Sequence, residues 1–156
     1  MEQFSPDSKI WVYQADRELS IKEEENISIY LGNFCKDWTA HNQQLLAGFE
    51  LLYHRFIILK VDETHTGASG CSIDKSVNAL KELSNTMGIG FFNRVQLPYL
   101  DNDGIHTIHF NEVERGLEEK TISASTPFFD MNIKTLAQLD KAFLLPLQAH
   151  WAYPKV

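Results

Sequence analysis

Cysteine is scarce in this sequence. Only Cys35 and Cys71 occur among 156 residues, and they form no C-x-x-C pair. That argues against a disulfide-framed secreted module and a thioredoxin-type dithiol, and it fits a reducing compartment. Basic side chains are few as well: 14 Lys and Arg stand against 21 Asp and Glu, for a formal net charge of −7. Unassisted binding to nucleic acid or anionic lipid is disfavoured, because both require a basic field. No apolar run approaches the ~20 residues that span a bilayer, and the opening MEQFSPDSK lacks the charged-then-apolar signal pattern. A cytoplasmic location is expected. Repeats and low-complexity stretches are also lacking, which leaves residues 1–156 as a single domain. A chain near 150 residues buries roughly 68–70% of its unfolded surface, enough for a core without metal or disulfide staples.

What is present is periodicity. Lys9–Gln14 (K-I-W-V-Y-Q) is β-branched and aromatic and predicts a strand with Ile10 and Val12 on one face and Trp11 and Tyr13 on the other. Ser20 followed by Glu23 is the S-x-x-E capping pattern, with Glu24 and Glu25 adding negative charge in the first helical turn. Ile27, Tyr30, Leu31, Phe34 and Trp38 then recur at helical spacing. Residues 45–62 read as two β-runs around Tyr53-His54-Arg55, close enough to be a hairpin. The second run alternates Ile57, Leu59 and Val61 with Phe56, Ile58 and Lys60, as in a central strand covered on both sides. Ile73, Val77, Leu80, Leu83 and Met87 predict a second helix ending near Gly88.

A further hairpin is expected over 93–110 around Asp101-Asn102-Asp103-Gly104, with Pro98 marking an edge strand. Asn111 is placed to cap a short helix through Leu117, and Thr135 to open a last helix before Pro146. The aromatic tail W-A-Y-P-K-V is expected to pack on the domain or on a partner. The order β-α-β-β-α-β over the first hundred residues predicts an α+β fold: a ferredoxin-like split β-α-β core, extended by one strand and C-terminal helices. The alternative is a three-layer α/β sandwich.

Chemistry concentrates in residues 63–76, a small-residue loop joining a central strand to a helix. Backbone N–H groups at a helix start favour an anion, and Gly67 and Gly70 allow close approach to the main chain. Ser69, Ser72 and Lys75 complete the expected ligand-binding set. The alternative is a plain helix cap in which Ser69 or Ser72 satisfies the helix's own donors. A phosphate-binding P-loop requires glycine six residues and one residue before its lysine, but those positions before Lys75 hold Ser69 and Asp74. Cys71 lies at or near the helix start, where the dipole favours thiolate, and His65 is the nearest base; together they make a candidate catalytic pair. Cys35 would resolve such a thiol only if the fold brought it close, and the alternative for Cys71 is a small packed side chain. No metal site or cofactor is expected. His106 and His109 diverge on a strand, and Asp101 and Asp103 lack an EF-hand's glycine at position six.

The sheet face carrying Trp11, Tyr13, Phe56 and Ile58 is too apolar for water, so it marks either a homodimer surface or a second core covered in cis. Base stacking on such a sheet would need flanking Arg or Lys, which are scarce.

At W-T-A-H (38–41), R-F-I-I-L-x-V-D-E (55–63) and G-A-S-G-C-S-I-D-K-S-V (67–77), the chain resembles a family of short, uncharacterised bacterial proteins, over nearly its whole length. Some members are labelled ABC transporter ATPases. The resemblance implies a bacterial protein and brings no catalytic residue to these positions; the phosphate-loop register rejects the ATPase reading. The functional expectation is therefore a small anionic ligand or peptide group held at 63–76. The alternatives are a thiol enzyme using Cys71 and His65, and a homodimeric interaction module.

Overall fold

Alternating burial organises the first half of the chain, whose elements in the computed structural model are β1 (Lys9–Gln14), α1 (Ile21–Asp37), β2 (Thr39–Ala40), β3 (Gln43–Gln44), β4 (Leu46–Leu52), β5 (Phe56–Asp62) and α2 (Gly70–Met87). The structure describes residues 3–155. They divide into two compact units, one from the described residues of Met1–Phe92 with Lys134–Ala137, the other from those of Asn93–Ile133 and Gln138–Val156.

In the first unit β5 lies between β1 and β4, and both pairings are antiparallel. Trp11 faces Leu59 and Tyr13 faces Ile57 across the β1–β5 ladder. Side chains paired across a ladder share a sheet face. Tyr13, Ile57 and Leu59 therefore pack in one cluster with Ile27 and Leu31 of α1 and Leu80 and Leu83 of α2, with Trp11 and Phe49 against it. Ile10, Val12, Phe56 and Ile58 point the other way and are each less than 5% exposed. The expectation that Trp11 and Tyr13 share a patch with Phe56 and Ile58 is thereby corrected. The antiparallel register assigns the two pairs to opposite faces, and Tyr13, Phe56 and Ile58 are all buried within the single chain.

The β4–β5 hairpin forms where the sequence places it. Its tip is unusual, because Tyr53 and His54 both hold positive φ, 55° and 53°. Left-handed conformations at both central positions match the twist of a tight hairpin but disfavour bulky residues. Long-range bonds hold the tip: the His54 carbonyl accepts from the Leu19 amide and the Arg55 carbonyl from the Ala15 amide, each at 2.7 Å. The β2–β3 turn, with His41 and Asn42 at positive φ, repeats the device.

Both long helices start as their sequences dictate. Ser20 and Glu23 make the reciprocal capping box of α1, and Arg17 grips the Glu23 carboxylate at 2.7 Å. Gly88, at φ 67°, ends α2 in the left-handed conformation a helix stop requires. The buried seam of α2 includes Ser72, Ser76 and Ala79 beside Leu80 and Leu83. At the head of this seam the buried Trp38 indole donates to the Ser72 carbonyl at 2.8 Å.

In the second unit β6 (Gln96–Asp101) and β7 (Gly104–His109) form the second expected hairpin, followed by a 3₁₀ turn, Phe110–Glu112, and α3 (Val113–Glu118). Next come β8 (Pro127–Phe129), α4 (Leu136–Ala142), whose first two residues belong to the first unit, β9 (Leu144–Pro146) and a 3₁₀ turn, Leu147–Ala149. The sheet order is β7-β6-β8-β9. Leu97, Val113, Ile122, Phe128 and Leu147 form its core, with Ala152 of the aromatic tail packed against it while Trp151 stays half exposed.

Every strand pairing is antiparallel among the described residues, and the protein is α+β. The first sheet holds three strands in the order β1-β5-β4. The fourth expected strand, β6, does not join it but pairs with β7 and β8 in the other sheet, which corrects the extended-sheet expectation. The Asn93 side chain turns the chain by accepting from the amides of Val95 and Gln96, and the Asp101–Gly104 turn then supplies β7 as a local partner. The edge of β1 instead receives Lys134 and Thr135 through one bridge and an Ile10 amide bond of 3.0 Å. Pro98 does not mark an edge: β6 is internal, yet it meets β8 only at Tyr99–Phe128, so no long ladder needs the missing proline donor. Nor does Asn111 cap α3; the His109 ring accepts from the Asn111 amide at the 3₁₀ turn.

Candidate functional site

The loop from β5 to α2 is organised by two carboxylates. Asp62, buried at the strand end, accepts from the Ser5 amide at 2.8 Å and from both the amide and the hydroxyl of Thr64. These bonds, the Thr64 hydroxyl foremost, hold its carboxyl below the usual carboxylate range. Glu63 turns into the loop. One oxygen pairs with Lys9 at 3.2 Å, and the other accepts from the Ala68 amide at 2.8 Å. A Cβ on Gly67 would stand 2.9 Å from that second oxygen, so a larger residue there would push the Glu63 carboxylate aside.

Ser69 is the N-cap of α2. Its hydroxyl accepts from the Ser72 amide at 3.1 Å, while the Ser72 hydroxyl accepts from the Ser69 amide at 2.6 Å and donates to the Ser69 carbonyl. The two serines thus satisfy each other. The Gly70 and Cys71 amides, first and second in the helix, have no partner among the described residues. Both residues are exposed, as are Asp74 and Lys75. The loop therefore forms the expected capping box, with the Gly70 and Cys71 amides outside it on exposed residues.

Cys71 is exposed and Cys35 is buried. No hydrogen bond joins His65 to Cys71 among the described residues. Cys35 lines a groove of about 690 Å³ between α1 and β4, with Gly32, Lys36, Gly48 and Lys60. Burial pushes its thiol up to about 11, against the opposing effect of Lys60. Sequence reasoning missed this groove, because its walls come from residues distant in the chain. It also treated Asp101 and Asp103 as turn formers without His106. The three exposed groups lie within 4.8 Å of one another at the β6–β7 tip, where His106 pairs with Asp101 at 3.0 Å.

These features define a mixed α+β protein with a stapled, amide-presenting loop at the head of a long helix. No helix among the described residues is long and apolar enough to cross a membrane. No family model, curated protein or solved structure matches the chain.

Proposed function

We propose that the protein binds a small anionic ligand or peptide group at residues 63–76, through the head of α2. The observation that carries this reading is the pair of amides of the exposed residues Gly70 and Cys71, which have no partner among the described residues, at the positive end of an 18-residue helix. The internal Glu63 carboxylate on the Ala68 amide supports it, because the same loop already holds an anion of this class. Ser69 and Ser72 act by fixing the loop, Gly67 by admitting Glu63, and Lys75 by adding positive charge one turn on. Asp74 opposes, so affinity is expected in the millimolar range for simple ions. The reading includes a cytoplasmic location, supported by two unpaired thiols.

Amide chemical-shift titration with inorganic phosphate and with acetate tests the site. Saturable movement of the Gly70 and Cys71 resonances is expected, with weaker binding in Gly70→Pro. Proline suits the first helical position and removes one donor, and the extended Ser69 before it is compatible. If neither resonance moves with either anion, the reading fails. Thiol catalysis is a second reading favoured by the exposure of Cys71. Iodoacetamide labelling across pH tests it, and slow labelling of native Cys71 at neutral pH counts against it.

A further inference from the structure

We infer that the exposed face of α1 forms a two-fold interface for a second copy of this chain. The groove between α1 and β4 bounds this face at Gly32 and Lys36.

The exposed face of α1 specifies the occupant. Ile29 is 66% exposed, and at 100° per residue it shares an arc of about 60° with Glu25, Gly32 and Lys36. A Cβ on Gly32 would meet nothing within 4 Å, so the helix carries an apolar knob and an open notch. Place a two-fold axis opposite the peptide joining Tyr30 and Leu31. In antiparallel packing Ile29 then meets Gly32 of the second copy, and Glu25 meets its Lys36, each contact occurring twice. Lys36 has no ion pair among the described residues, and Glu25 has only a loose one with Lys22 at 3.9 Å. An isologous contact demands this match of each surface element to its counterpart on the same surface. A uniformly acidic or basic partner would meet a like charge at one end of the stripe.

Sedimentation velocity of the full chain across a concentration range tests the inference. The expected species is twice the 17.9 kDa chain mass at high concentration. Ile29→Glu, an exposed change that leaves the far-UV spectrum intact, should raise the dissociation constant at least ~10-fold. Lys36→Glu should weaken association, and adding Glu25→Lys should restore it. A single-chain mass at every concentration overturns the inference. So does a dimer indifferent to Ile29→Glu, which would lie elsewhere, or a charge swap that fails to restore association.

Discussion

Removing the two serine hydroxyls at the head of α2 separates a cap from a merely polar loop. Ser69→Ala deletes one bond, the 3.1 Å acceptor for the Ser72 amide, and N-cap losses of this type cost about 1 kcal/mol. Ser72→Ala deletes two, at 2.6 and 2.8 Å, from a residue only 1% exposed. Water cannot readily replace them there, and the Ser69 amide is left without its acceptor, so the cost should be about 2 kcal/mol. Because each hydroxyl positions the other, the double variant should lose less than the sum, by ~0.5 kcal/mol or more. Urea unfolding followed by far-UV circular dichroism measures all three. In thermal melts each kcal/mol corresponds to about 2–4 °C for a chain of this size. The reasoning is refuted if Ser69→Ala costs as much as Ser72→Ala, or if the two losses are simply additive.

Three further outcomes are expected. The buried His150 ring is satisfied at both nitrogens, with Nε2 on the Phe129 carbonyl and Nδ1 accepting from the Ala152 amide, and burial lowers its pKa from 6.5. The unfolded chain therefore protonates first as pH falls. This contribution to stability should be complete above 6.5 and decline as pH drops below it, and melts of His150→Gln over the same range should show a shallower slope. Iodoacetamide followed by mass spectrometry should modify Cys71 in the native protein and Cys35 only after denaturation; comparable rates would contradict the burial of Cys35. Gly88→Ala should cost about 1 kcal/mol in urea unfolding, because φ 67° disfavours any Cβ although space for one exists. A neutral result would remove the left-handed cap.

Local signals in the sequence specified the elements of this protein. Ser20-x-x-Glu23 and Gly88 bounded helices, alternation in residues 56–62 made the central strand, and Asp101–Gly104 made a turn, each through forces acting within a few residues. The loop at 63–76 was legible as a helix head for the same reason. Tertiary structure decided what lay between elements. Pairing register sent Trp11 and Tyr13 to the helix face, and β6 joined β7 and β8 instead of the edge of β1. It placed the Glu63 carboxylate in the very loop expected to receive an anion, and it built the α1–β4 groove from residues far apart in the chain. A single sequence cannot rank such arrangements locally. Strand partners compete through long-range burial and backbone pairing, whose free energies depend on the whole assembled surface and not on any one segment.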